Sequence, residues 1–269
     1  MNKLLVLAKN FHTFFIERLQ EEANCSVSFL NPWESGREIS RDEKILVRST
    51  SIHGSNHDLD YLEHHKLQSI PSLHALKTLR TKPLQFKYFE ERGIAHLPWL
   101  NLTQVSSSEI ELFASSFKEQ KLLIKPQRGQ GGWGVRVFED VTELLFWWTE
   151  AKDREYLLQP FIEEHEEYRV FFMGNEYLGL KRISKGITAN FTQGGEAIEF
   201  SPTEELKEIV RNIKEDLGLI YGAADFLCTK GPKGTAYLLE MNLVPGIEQL
   251  EMVTRRNVAK ELLRILGES

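Results

Sequence analysis

The chain has little of what would place it in a membrane, in an oxidising compartment or on a polyanion. It carries two cysteines, Cys25 and Cys228, far apart and outside any CxxC pattern. No disulfide framework is indicated, and reduced, buried thiols are expected. No stretch approaches the ~20 consecutive apolar residues that span a bilayer. The apolar run Leu4 to Ala8 stops at Lys9 and Asn10, too short for the apolar core of a signal peptide. Formal net charge is −6, which leaves no broad basic face for nucleic acid. Low-complexity tracts, internal repeats and long linkers are also missing. These absences point to a cytoplasmic protein with neither membrane nor nucleic acid as a partner. What is present is 269 residues that are 41% hydrophobic and 27% charged, enough for two or three small lobes with proper cores.

Strands and helices alternate first. Lys3–Ala8, Ser26–Leu30 and Lys44–Ser49 read as strands around a helix over Phe11–Asn24, whose Phe15, Leu19 and Ala23 share a face. After Pro71, LHALKTLRTK is helix-like, and a helix around Leu84–Arg92 ends at Gly93. Ser108 and Glu111 are spaced as a capping box for the next helix. Thr142–Ala151 is a short helix with Trp147 and Trp148 on its core side. The last hundred residues are strand-rich: YLLQPF, YRVFFM, EYLGLKRIS, GAADFLCT and TAYLLEMN. A helix interrupts them. It is expected to start at Ser201 as N-cap, with Pro202 at the first helical position and Glu204 completing a capping box, and to end at Gly218. A last helix covers Asn257–Leu266.

The first chemical signal is Lys125-Pro126-Gln127-Arg128-Gly129-Gln130-Gly131-Gly132-Trp133-Gly134-Val135. Its GxGxxG would suit a dinucleotide only if a helix followed, because the helix N-terminus holds the pyrophosphate; here VRVFED follows and alternates like a strand. A P-loop would end in Gly-Lys-Ser/Thr, whereas Gly134 precedes Val135 and Arg136. The order of parts in a protein kinase does not fit either. A strand-end lysine and a glycine-rich hairpin loop remain. Glycines bring backbone close to phosphate oxygens and let a loop move. Taken alone, the segment reads equally well as a surface turn.

The second signal is Asp225 in YGAADFLCT with Glu240 and Asn242 in TAYLLEMN. Residues i and i+2 of a strand share a face, so Glu240 and Asn242 can reach one ion, and an aspartate on a neighbouring strand adds oxygen. Such hard ligands suit Mg²⁺ held together with substrate phosphates. A lone carboxylate would more simply be an ion-pairing residue; three such groups downstream of a phosphate-loop candidate favour the metal.

In the order LLIKPQRGQGGWGVRVF, YLLQPFIEEHEEYRVFFMGNEYLGLKRIS, NFTQGG, YGAADFL and YLLEMNLVPGIEQLEMVT, the chain resembles the RimK-like members of the ATP-grasp superfamily, carboxylate–amine ligases that include α-L-glutamate ligases. The likeness runs in detail from about Lys77 to Gly267. It implies an α/β (α+β) ATP-grasp fold with an N-terminal pre-ATP-grasp lobe (1–75), a central lobe with the glycine lid (76–160) and a C-terminal lobe with the metal site (161–269). It implies ATP and Mg²⁺, with two ions expected and Mn²⁺ as a substitute. The substrates implied are a carboxylate and an amine, each a small molecule, a peptide or a protein tail. Homo-oligomers are frequent among such enzymes.

Carried over residue by residue, the resemblance makes Lys82 and Lys125 phosphate contacts and Gly131 and Gly132 part of the lid. Gln159, Pro160, Phe161 and Ile162 form the backbone segment that holds adenine. Glu167 binds ribose hydroxyls, and Asn190 lies near metal and phosphates. Asp225, Glu240 and Asn242 are the metal ligands. Arg182 sits by the transferred phosphoryl group, with Arg169 in the same cleft. Pro160-Phe161 stands where relatives have Glu-Tyr, Thr188-Ala189-Asn190 where they have Arg-Ser-Asn, and Arg255 where a glycine usually follows the threonine. These departures leave the added amino acid open. Two other classes stay open from sequence: an ATP-grasp kinase and a non-catalytic nucleotide-binding module. Trp99 and Trp133 are candidate substrate contacts.

Overall fold

The computed structural model of the protein describes residues 3–8, 13–23, 26–31, 39, 44–48, 57–129, 131–151, 155–183, 196–230 and 234–268. Three sheets organise it. The first is parallel and made of β1 (Lys3–Leu7), β2 (Ser26–Leu30), β3 (Lys44–Val47) and β4 (Ser69–Ile70), in the order β2-β1-β3-β4. Leu4, Leu5, Val6 and Leu7 are all buried, the continuous apolar run expected of a strand covered on both faces. Helix α1 (Phe14–Glu22) starts at Thr13, whose hydroxyl accepts from the Ile16 amide, and α2 (His57–His64) precedes β4.

Two helices lead onward, α3 (Leu73–Leu79) and α4 (Lys82–Glu91). The second sheet is antiparallel: β5 (Leu100–Asn101), β6 (Leu122–Pro126), β7 (Arg136–Phe138) and β8 (Tyr156–Pro160), ordered β5-β8-β6-β7. Helices α5 (Ser107–Ser115) and α6 (Val141–Glu150) cover it. Ile110, Leu122, Ile124, Phe138, Leu144, Trp148 and Leu158 give it a core of its own. The third sheet holds β9 (His165–Met173), β10 (Glu176–Ile183), β11 (Glu196–Phe200), β12 (Tyr221–Thr229) and β13 (Ala236–Asn242), ordered β11-β10-β9-β12-β13 and antiparallel throughout. Helices α7 (Glu204–Leu217), α8 (Glu248–Thr254) and α9 (Val258–Glu268) complete the chain.

The first and third sheets share their cores. Leu5 and Leu7 join Val170, Phe226 and Leu238 in one cluster, and Leu4 and Val6 join Phe171, Tyr221 and Leu262 in another. Helix α4 belongs to this larger body through Phe86 and Phe89. Buried Gln85 ties it to edge strand β13: its Oε1 accepts from Met241 N at 2.8 Å, and its Nε2 donates to Met241 O and Leu79 O.

Two helix starts differ from expectation. The capping box lies at Ser106 and Glu109, not Ser108 and Glu111. Both pairs satisfy the spacing; starting earlier adds a half-turn of helix and leaves buried Ile110 and Ala114 one turn apart on the core face. Helix α7 is capped by Thr203, whose hydroxyl accepts from Leu206 N. Ser201 and Pro202 stay outside it, with Pro202 buried, and with Leu206 three residues after the cap there is no box. Gly218 closes α7 in the left-handed conformation with φ 61°.

Candidate active site

A cavity of about 440 Å³ opens between the second sheet and the larger body. Its roof is β6 and the glycine loop as far as Val135. Gly131, Gly132 and Gly134 have φ of 67°, 73° and 80°, a region where a side chain is strained and glycine is not. A Cβ on Gly134 would lie 2.8 Å from Pro126 Cγ, so the loop packs on the strand that precedes it. Trp133 at the loop tip is 69% exposed yet lines the cavity. Lys125 is next to last in β6, with its ammonium 4.7 Å from the Phe86 ring centroid. Burial, with Lys82 adding to it, pushes the Lys125 amine down to about 7, against the pull of Glu240. Lys82, at the first position of α4, reaches Glu240 Oε1 at 3.6 Å and Gly129 O at 3.4 Å.

The floor is built by strand alternation. On β9, His165, Glu167, Arg169 and Phe171 fall at spacings of two and all line the cavity. Asp225 on β12 sits opposite Arg169 on one side and Glu240 on the other. Arg169 clamps it with Nε–Oδ1 and Nη2–Oδ2 both at 2.6 Å. Asn242 Nδ2 donates to Oδ2 at 3.0 Å, and Arg182 Nη1 lies 3.7 Å from Oδ1. Burial would raise the Asp225 carboxyl, but the two arginines outweigh it and hold it below the usual carboxylate range. Arg182 itself is pushed down by burial, and its buried Nε has no hydrogen-bond partner among the described residues.

At one end lie Gln159, Pro160, Phe161 and Ile162. Pro160 has no N–H, and Phe161 N donates to Lys121 O at 2.8 Å. Gln159 is a buried side chain whose amide reaches Leu97 O at 3.4 Å. His165 bonds Ile162 O through Nδ1 and lies 3.4 Å from Glu167 Oε1 through Nε2; its contact with Glu167 raises it against the effect of burial.

Every candidate residue named from sequence lines this one cavity except Trp99 and Asn190; Asn190 lies outside the described residues, as do Thr188 and Cys25. Trp99 is not part of it: it stacks on Phe86 and donates to Glu90. Arg255 takes the left-handed position that ends α8, with φ 55°, the conformation a glycine adopts without strain. Sequence reasoning passed over His165 and Arg48. Arg48 follows apolar β3, and the carboxyl end of a parallel strand is where α/β sheets meet ligands.

The donor set fits a nucleoside triphosphate: Leu123, Val135, Phe161, Ile162 and Leu239 supply apolar lining, and Lys82 and Lys125 line the same cavity. Asp225 and Glu240 are two carboxylates at one place, which fits a divalent cation that takes its remaining ligands from phosphate and water. Among the described residues no three His, Cys, Asp or Glu side chains could cage a metal alone, so phosphate oxygens would be part of the coordination.

A family model described as RimK-like ATP-grasp domain matches residues 96–266. A probable alpha-L-glutamate ligase of Legionella pneumophila is 24% identical over 98% of this chain and 95% of its own length. Among solved structures, the D-cycloserine synthetase DcsG superposes with a TM-score of 0.77 at 15% identity, covering 98% of this chain and 99% of that one. A RiPP-associated ATP-grasp ligase of Chryseobacterium gregarium, in complex with ADP and a leader and core peptide, gives 0.73 at 17% identity, covering 100% and 97%. Together with the cavity, these matches make the chain a member of the RimK-like ATP-grasp family, an enzyme that uses ATP to join a carboxylate to an amine.

Proposed function

We propose that the reaction runs through an acyl phosphate, on a substrate that is a small molecule or a peptide bearing the carboxylate. The observation that supports this is the meeting of Lys82, Lys125, Arg182, Asp225 and Glu240 in one cavity. A carboxylate oxygen attacks the γ-phosphorus, the bond to the β-phosphate oxygen breaks and ADP leaves. The amine then attacks the carbonyl carbon and loses a proton. The C–O bond breaks, and phosphate departs with the former carboxylate oxygen.

Lys82 and Lys125 hold the phosphates, and Arg182, which lines the cavity beside Asp225, steadies the negative charge of the transferred phosphoryl group. Ile162 offers the adenine edge its N–H, since Phe161 N is engaged and Pro160 has none. Glu167 takes the ribose hydroxyls. Asp225, Glu240 and the Asn242 carbonyl oxygen are the places for Mg²⁺, two ions in this reading and replaceable by Mn²⁺. When bound, Mg²⁺ neutralises charge between the β- and γ-phosphates. The glycine loop, with Gly131 and Gly132, excludes water while the acyl phosphate exists. The division into lobes at 1–75, 76–160 and 161–269 is part of the same reading; the three sheets support it, although α3 and α4 pack with the larger body. A cytoplasmic setting, where ATP and Mg²⁺ are at hand, belongs to that reading too. Among the described residues no helix is long and apolar enough to cross a membrane.

The test is incubation of the enzyme with ATP, Mg²⁺ and a panel of carboxylates and amines, followed by mass spectrometry and phosphate analysis. ADP, phosphate and a dehydration-sized mass increment are expected, with ¹⁸O from the carboxylate in the phosphate. AMP, or label kept wholly in the amide, overturns the acyl phosphate.

A further inference from the structure

Among the described residues of the first sheet and its helices, Arg48 alone lines the cavity. It stands immediately after β3, and its backbone N–H closes the strand on Leu7 O at 2.7 Å. Its guanidinium is fixed from two sides. Nη1 donates to Val244 O at 2.6 Å and Pro245 O at 3.1 Å, and the Phe15 ring lies 3.9 Å from Cζ. Its Nε is buried with no hydrogen-bond partner, and no carboxylate pairs with it among the described residues. Burial accordingly depresses the guanidinium, with Tyr221 the one group opposing that. A buried cation without an anion is costly and persists where something supplies the anion.

Its place in the cavity says which anion. The strands order the floor: His165 and Glu167 lie toward the adenine segment, Arg169 aligns with Asp225 and Glu240 in the middle, and Phe171 aligns with Ala223 and Asn242 beyond them. Val244 and Pro245, which Arg48 grips, follow Asn242. Arg48 is therefore on the far side of the acidic centre from the nucleotide end.

We infer that Arg48 is the binding residue for a second carboxylate of the substrates, one that is not activated, held at the end of the cavity away from the nucleotide. This rests on the ligase reading above and adds to it the class of substrate: one of the two partners carries a carboxylate besides the reacting group. With Nη1 engaged and Nε enclosed by protein, Nη2 is the nitrogen left for the cavity, a charged donor to a carboxylate oxygen. Because Nη1 is anchored on the Val244–Pro245 carbonyls, the guanidinium is oriented before the substrate arrives.

The experiment is thermal unfolding of wild type, Arg48→Met and Arg48→Lys. Mg²⁺ and the non-hydrolysable analogue AMPPNP are titrated first, then L-glutamate or glutarate at saturating nucleotide. The nucleotide shift is expected in all three proteins. L-Glutamate or glutarate should raise the wild-type midpoint saturably, with apparent affinity weakened about tenfold or more in Arg48→Met and less in Arg48→Lys. A response to L-glutamate alone assigns the carboxylate to the amine-bearing substrate; a response to glutarate as well assigns it to a dicarboxylate acceptor. If Arg48→Met does not unfold cooperatively, Arg48→Lys carries the comparison, because it keeps the charge and loses the guanidinium oriented on Val244 and Pro245. Equal affinities in wild type and variants, or no saturable wild-type response to either probe, overturn the inference while the nucleotide shift stands. A wild-type protein without a nucleotide shift overturns the reading of the cavity itself.

Discussion

The floor and the roof of the cavity are built on opposite principles. The floor sets side chains at alternate positions of paired strands, where Arg169, Asp225, Asn242 and Arg182 hold one another at short range. The roof sets a run of glycines at positive φ over that floor and contributes one lysine whose charge is weakly held. A site that must place charge accurately uses a rigid sheet for it, and one that must open to admit substrate uses backbone without side chains. The same reaction needs both, so damage to each should look different.

The sharpest contrast lies within the floor. Asp225→Asn removes the partner of Arg169 and Arg182 together and should abolish turnover and also destabilise the fold, by roughly 3 kcal/mol. Glu240→Gln loses a carboxylate whose neighbour is Lys82 at 3.6 Å and should abolish turnover while stability moves by under about 1 kcal/mol. Denaturant unfolding beside an ATPase assay separates them. Equal stability losses would mean that Asp225 is not the hub of the floor.

Lys125 tests the roof by pH. Its amine lies near 7 in the fold, below the ordinary lysine range, so between those values the unfolded chain binds more protons than the folded one. Stability should therefore rise with pH from about 7 towards the ordinary lysine range through this group and level off at its lowest below about 7, and Lys125→Met should flatten that rise. Phosphate binding restores the charge, so Mg²⁺-ATP binding at pH 8 to 9 should take up close to one proton, measurable by calorimetry in buffers of different ionisation heat. Uptake that persists in Lys125→Met would place the titrating group elsewhere.

The smallest effect on the fold is expected at Gly132. Valine there meets φ 73° and costs about 1–2 kcal/mol locally. The loop carries little of the core, so turnover should fall more than the unfolding midpoint. Proteolysis of residues 127–134 should be suppressed by Mg²⁺-ATP in wild type and less so in the variant. Equal protection with and without nucleotide would remove the lid from the mechanism.

The floor was legible in the sequence because strand geometry converts spacing into facing. Glu240 and Asn242 two apart, and Asp225 in an apolar strand, suffice to bring three polar groups to one place. The loop was legible because a strand follows its glycines. The helix starts at Ser106 and Thr203 were misplaced by two residues, since serine and threonine runs offer several caps of equal local merit and packing of Ile110 and Leu206 chooses among them. Arg48 was invisible for another reason. Its partners, Val244 and Pro245, lie almost two hundred residues away, and no local pattern marks a residue whose role depends on two sheets sharing a core.

The Gln85 tie has a consequence for how the cavity works. It fastens α4 to β13, so Lys82 and Glu240 ride on one body, whereas Lys125 rides on the sheet with the separate core. Any hinge motion between these bodies changes the distance between the two lysines and leaves Lys82 and Glu240 in step. A polyphosphate that bridges both lysines would then act as a latch, drawing the bodies together by its own charge. Loss of the γ-phosphate to the acceptor would shorten the latch, so the chemistry itself would loosen the grip that made it possible.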